Sequence, residues 1–583
     1  MKRRFTNRLS FLTALLVLWL VAASGGAYAE AGKGQPQEGQ APAKRSAMQA
    51  YAEAMQPGWN LGNTFDSVGL GGSADPSSEN ETAWGNPVVT KSLIKKIADQ
   101  GFKSIRIPIT WEHKIGASPD YAIDPAYLDR IEQVVGWALD EKLYVMINLH
   151  HDSWRWINGM GSNYDETLAR YNAAWTQIAD RFKHASPKLM FESVNEPQFS
   201  SEQAASSQEM LDTLNRSFHD IVRASGGKNA TRPLVLPTLH TSSDQQHLDA
   251  LGELFAELDD PNLIATIHYY GFWPFSVNIA GFTRFDETTR GEIDQTFNRL
   301  YDTFVSKGIP VVVGEFGLLG FDQHTGTIEQ GEKLKFFEYM LHYAQSKGIT
   351  HMLWDNGQHF NRTTYKWNDP QLYDMMKASW QGRSATAVSD LVFVKQGEPI
   401  ADISVQLQPN GNKLTSLSIN GKKLSRIFDY QIKGDVLTFK KSFLERVTKS
   451  GETGVRATVT ADFNKGADWQ FRIVAAGTPI LHGASGTTDA FAIPTDFRGD
   501  QLATMEAVYA DGSNAGPQNW TSFKEFSYTF QPSYDTGEIL LKKNFFNEVK
   551  DGTVTLKFHF WSGEIVHYTL TKSGSGVTGM PAP

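Results

Sequence analysis

The 583-residue chain contains no cysteine. A disulfide framework and a cysteine metal site are therefore excluded, and every domain must stand on core packing alone. Positive charge is also short: 55 Lys and Arg face 64 Asp and Glu, a net charge of -9. A nucleic-acid binder is usually basic, so that class is disfavoured. After residue 23 no apolar run is long enough to span a membrane. No glycine-rich phosphate loop links a first strand to its helix, which argues against an open doubly wound dinucleotide fold. What the chain does have is aromatics, with 15 Trp, 19 Tyr and 35 Phe, in a globular composition of 40% hydrophobic and 20% charged residues. Most of those rings serve cores. Those left on surfaces suit ligands with flat apolar faces, such as sugars. The length implies several domains.

The N-terminus reads as a secretory signal over residues 1–29: Lys2, Arg3, Arg4 and Arg8, an apolar stretch at 11–23, then Ala27-Tyr28-Ala29 as cleavage site. Residues 30–45 are polar and rich in Gly, Pro and Gln, a flexible linker. Release from the cell as a monomer, without a membrane anchor, is the expectation.

From 46 to 383 the pattern alternates. Apolar, β-leaning runs occur at 58–63, 104–109, 144–151, 189–196, 234–239, 263–270, 309–317 and 351–357, with helical periodicity between them, as at 92–101, 126–142 and 211–225. Eight β-then-α units predict a (β/α)₈ TIM barrel, whose chemistry lies at the carboxyl ends of its strands. Those ends carry Asn63, Arg106, His150-His151, Asn195-Glu196, His268 with Tyr270, Glu315 and Trp354. In FESVNEPQ (191–198), Pro197 is expected to end the fourth strand, since proline cannot donate to a sheet.

Glu196 and Glu315 are far apart in sequence, yet strands four and seven would set them face to face. Two carboxylates across a cleft are the working pair of glycoside hydrolysis, one protonated and one ionised. Arg106 would hold Glu315 ionised, and Tyr270 would donate to the same carboxylate. Asn195 suits a sugar hydroxyl, Trp354 offers a flat face, and His150 and His268 supply neutral hydrogen bonds. The pair His150-His151 with Asp152 invites a metal reading, but no third ligand motif is evident and the two-glutamate chemistry needs no cofactor. Trp154 and Trp156, after the third strand, are either sugar platforms or loop packing.

After 383 the periodicity turns to alternating strands. KKSFLERV (440–447) and KKNFFNEV (542–549) mark a repeat. Its spacing of about 100 residues is that of a β-sandwich domain. The expected modules are 384–477 and 478–575, with DVLTFKKSFL and KEFSYTF among their strands and a flexible tail at 576–583. Trp520, in the loop DGSNAGPQNWTSF, is expected to face a ligand; Trp561 is a second candidate or a core residue.

The set GWNLGNTFDS, RIPITW, INLHH, NEP, HYY, GEFG and LWDNG resembles glycoside hydrolase family 5 over about 48–382. Its first motif, with ETAWGNP, is similar to the family's fourth subfamily. The resemblance implies a retaining endo-β-1,4-glucanase acting on cellulose-type, mixed-linkage or xyloglucan polysaccharides. Glu196 is then the acid/base and Glu315 the nucleophile, with a carboxyl separation of about 5 Å. Asn63, Arg106, His150, His151, Asn195, His268, Tyr270 and Trp354 complete the barrel site. The first β module resembles the X2 immunoglobulin-like type, a spacer, and the second resembles carbohydrate-binding module family 46. In such relatives the last module can fold back over the cleft. A β-mannanase is the rival within the enzymes, and a polysaccharide-binding protein with a vestigial barrel the rival outside them.

Overall fold

The computed structural model describes residues 45–68, 81–200 and 204–582. The signal expected at 1–29 and nearly all of the linker lie outside them. No described helix is long and apolar enough to cross a membrane.

Eight parallel strands close into a barrel in sequence order: β1 Gly58–Asn60, β2 Ser104–Ile107, β3 Tyr144–Asn148, β4 Leu189–Glu192, β5 Leu234–Pro237, β6 Leu263–Tyr269, β7 Val311–Phe316 and β8 Thr350–Leu353. Alternation along each strand divides the side chains. Ile105, Ile107, Val145, Ile147, Leu189 and Phe191 face the outer helices. Met146, Met190, Val235, Ile264, Val312 and Met352 pack with Met55 from the N-terminal helix. The thioethers of that second cluster fill an irregular interior well. Above it the inward layer turns polar, with Asn60, Arg106, Asn148 and Glu192, all 0–1% exposed.

Two strand-end expectations are corrected. Strand β4 stops at Glu192, three residues before Asn195, so Pro197 is not what ends it. Ser193 and Asn195 leave the ladder to donate to the carbonyls of Val235 and Leu149. Likewise β1 ends at Asn60, and Asn63 sits on the following loop at φ 54°.

Residues 386–476 form two facing sheets of four and five strands. A nine-stranded sheet that carries its own core follows from 480. The repeated KKSFLERV and KKNFFNEV segments are helical turns, Lys441–Val447 and Lys543–Phe546, rather than strand continuations. Adjacent Phe443-Leu444 and Phe545-Phe546 are both buried, which an alternating strand does not allow. KEFSYTF is mostly loop, with a strand starting only at Phe530. The expected flexible tail is in fact a strand, Gly576–Pro581, paired on both sides, with Val577 buried. Pairing satisfies its backbone, and Gly579 lets it lie against the Tyr568 ring.

Candidate active site

Arg106 organises the barrel mouth. Its Nε donates to Glu192 (2.8 Å), Nη1 to Asn60 (3.0 Å) and Glu315 (2.6 Å), and Nη2 to Asn195 (2.6 Å) and Glu192 (3.3 Å). All five guanidinium donor positions are used, which fixes three strand tips relative to one another. Burial opposes its charge, and the carboxylates of Glu192 and Glu315 overcome this and raise its pKa. Asn148 steadies Glu192 from β3 (2.9 Å).

Glu315, 4% exposed, accepts from Arg106 on one oxygen and from the Tyr270 hydroxyl on the other (2.6 Å). Glu196 lies at the rim, its side chain 44% exposed and its backbone at φ 38°. A left-handed glutamate is strained and persists only where its surroundings hold it. Its Oε1 meets His268 Nδ1 at 2.9 Å. Oxygens of Glu196 and Glu315, with a nitrogen of His268, lie within 4.8 Å of one another. Burial pushes the Glu196 carboxyl up, but the His268 bond and the charges of His268, His151 and Arg106 outweigh it and hold it low. The imidazole of His268 is moved the other way: burial lowers it, and Glu315 and Glu196 raise it above the ordinary range. The two shifts are opposed, so the His268–Glu196 hydrogen bond couples the proton affinities of the two groups.

At His150 burial drives the pKa well down, helped by His151, Arg106 and His268. Its ring lies parallel to that of Trp354 (5°, centroids 5.9 Å apart). Gly62 makes room for that indole, since a β-carbon there would sit 2.8 Å from it. Asn195 gives its oxygen to Arg106, so its Nδ2 has no acceptor among the described residues and is left for a ligand.

Other expected residues have partners close to the mouth. Asn63 accepts through its carbonyl from Asn86 (3.0 Å) and is held by Asp66. His151 accepts from Trp154 (2.8 Å), and burial lowers it to about 3. Trp156 donates to Asp152 (2.8 Å) and lies under the Arg170 guanidinium, so it packs its loop rather than offering a face. Trp561 packs against Arg284 and the Leu391, Val474, Ala476 cluster at a module junction, not toward a ligand. Trp520, 55% exposed, stands 6.4 Å from Trp273 of the barrel loop after β6. Asp66, His150 and His151 do bring three ligand-type atoms within 4.8 Å, the third partner that the sequence motif lacked. Both Asp66 oxygens already accept backbone N–H groups, and both Nδ1 atoms have side-chain partners.

Sequence reading missed Asn60, Asn148, Glu192 and Trp273. The first three were available from strand parity: Glu192 shares its face with Met190, and Asn148 with Met146.

The cellulase family (glycosyl hydrolase family 5) matches residues 68–360, the X2 carbohydrate-binding domain 386–473 and the family 46 carbohydrate-binding domain 477–580. The chain belongs to glycosyl hydrolase family 5. It is an endoglucanase of that family with two β modules behind the barrel. Endoglucanase B of Paenibacillus lautus is 58% identical over 582 residues, 99% of this chain and 100% of the relative. The full-length tri-modular endo-β-1,4-glucanase B from Bacillus halodurans is 57% identical with a TM-score of 0.89, covering 93% of this chain and 100% of that one. A tri-modular subfamily 4 endo-β-1,4-glucanase from Bacillus licheniformis, complexed with cellotetraose, is 31% identical with a TM-score of 0.77, covering 92% and 99%.

Proposed function

We propose that this endoglucanase is secreted, acts as a monomer, and cleaves β-1,4-linked plant cell-wall glucans (cellulose-type, mixed-linkage and xyloglucan) with retention of configuration. The carrying observation is the close approach of Glu196 and Glu315, with oxygens within 4.8 Å. Retaining enzymes hold their carboxyls about 5–5.5 Å apart, and inverting ones about 6.5–9.5 Å to admit a water.

The partners divide the labour. Glu315, fixed by Arg106 and Tyr270, attacks the anomeric carbon. Glu196 protonates the departing glycosidic oxygen, and a glycosyl ester forms on Glu315. Glu196 then takes a proton from water as that water cleaves the ester. A sugar entering the rim displaces water from Glu196 and raises its proton affinity. Protonated from solution or through its 2.9 Å hydrogen bond with His268, Glu196 is then the acid. Asn195 Nδ2 donates to the hydroxyl beside the reacting carbon, and Trp354 carries the ring. Trp520 with Trp273 extends the cleft, so the C-terminal module completes the substrate path. The Bacillus licheniformis relative's cellotetraose complex supports a β-1,4-glucan in this cleft.

Glu196→Gln and Glu315→Gln should each lower kcat on barley glucan by at least about 100-fold. Proton NMR of the first products should show the β-anomer. An initial α-anomer would overturn retention, and faster release from mannan than from glucan would overturn the substrate class.

A further inference from the structure

A cavity of about 930 Å³ opens where the barrel meets the first β module. Its size is within the roughly 300–1,000 Å³ of ligand clefts. Neither catalytic glutamate lines it. Its walls come from Trp84 to Asn86, the segment after β8, and Gln470 and Arg472 on the module's strand Trp469–Ala476. One indole separates it from the histidines at the barrel mouth: the Trp84 ring centroid is 5.4 Å from that of His151. Asn86 ties this wall to the mouth through the carbonyls of Asn63 (3.0 Å) and Asn356 (2.9 Å).

Its chemistry is specific. The charged wall residues form closed pairs, Lys333 with Asp369 (2.8 Å) and Arg472 with Asp390 (2.5 Å), so the lining carries no unbalanced charge. Amides dominate the rest, and several keep unused valence. Gln470 makes no side-chain hydrogen bond to another described residue. Gln371 accepts from Gln330 (3.2 Å) and keeps its NH₂ free, while Asn368 donates to Gln358 (2.7 Å) and keeps its oxygen. Trp84 adds a flat apolar face. Amide donors and acceptors beside an indole, without net charge, match a neutral polyhydroxylated ring and not an anion.

We propose that this seam is a second saccharide-binding site, which holds the same β-glucan chain beyond the catalytic centre. The X2-type module would then be a wall of the substrate path and not a spacer. The ligand class rests on the glucanase reading above; the site itself does not.

The test uses the full chain made inactive by Glu315→Gln, with and without Gln371→Ala and Gln470→Ala. Calorimetric Kd values are measured for cellohexaose and cellotriose. The two added substitutions should weaken cellohexaose by about 3–10-fold, the loss of one or two hydrogen bonds, and cellotriose by less than about 2-fold. Equal cellohexaose affinity in the two chains overturns the site, as does an equal loss on both oligosaccharides. An unchanged Tm separates lost contacts from lost fold. Wild-type hydrolysis is read separately. A wild type that leaves cellohexaose intact, while its inactive form shows the expected contrast, refutes the glucanase reading and leaves the site standing.

Discussion

The two β modules attach to one barrel by different physics. The first shares a continuous apolar cluster with it, in which Ala387, Val405, Phe439 and Phe471 join the barrel residues. Its polar seam is closed by buried charges: Arg383 grips Glu338 at 2.6 and 2.8 Å, and Arg472 pairs with Asp390 and Glu329. Gly331 lets the helix Gln330–Ser346 start against Asp390, where a β-carbon would collide with the carboxylate. The second module keeps a core of its own, around Met505, Phe530, Phe558 and Tyr568. It touches the barrel with no ion pair among the described residues: Asn278 donates to the Ala503 carbonyl (2.9 Å) and accepts from Phe526 (3.2 Å), Phe523 lies on Gly281, Trp520 nears Trp273, and the Arg284 guanidinium lies over Trp561. A shared core ties a module to the barrel's folding. A separate core leaves it free to serve the cleft.

The largest test of that contrast is a pair of core truncations. Phe471→Ala and Phe558→Ala should each cost about 3–5 kcal/mol. Scanning calorimetry should show Phe471→Ala lowering the barrel and first module together, and Phe558→Ala splitting off an early transition with the barrel unmoved. A single joint transition in both variants would erase the distinction.

Next is Arg383→Ala. It leaves Glu338, 2% exposed, with its charge unpaired. Breaking a buried pair costs about 3–5 kcal/mol; Arg383 is itself 24% exposed, which argues for the low end. A Tm unchanged from wild type would show that the seam does not bear on stability.

Trp520→Ala should leave Tm unchanged and raise KM on xyloglucan about 2–10-fold, as loss of one aromatic contact implies. A matching loss of Tm would make Trp520 a packing residue.

The last effect is on pH. Burial and the adjacent Asp390 charge push Glu329 from 4.5 up to about 8, partly countered by Arg472. A raised carboxyl favours the folded seam fully below pH 4.5 and loses that contribution as pH climbs through 8, by at most about 1.4 kcal/mol per unit. The barrel and first-module transition should therefore fall between pH 5 and 8, and Glu329→Gln should flatten the decline. An equal slope in both proteins would assign it to other groups.

Much of the site was legible because strand tips converge in a closed parallel barrel. Once eight β-then-α units were counted, Glu196 and Glu315 had to meet. Asn60, Asn148 and Glu192, polar residues inside strands, were hidden by runs that read as plain core until parity is applied. Trp156 and Trp561 stayed open between two readings because an indole in sequence does not reveal which cation or neighbouring module will cover it. The tail at Gly576–Pro581 misled because small residues read as loop, although a free sheet edge nearby can recruit them as a strand.

The sequence by itself determined the repeating β-then-α units, the order of the modules and the acids that meet at the barrel mouth, because alternation and strand ends are local properties of the chain. Only the tertiary structure decided which carboxylate is buried and which lies at the rim, which tryptophans stay uncovered and which module shares the barrel's core. Each of those depends on what a side chain meets across a fold, and burial and neighbouring charge arise only when distant segments pack.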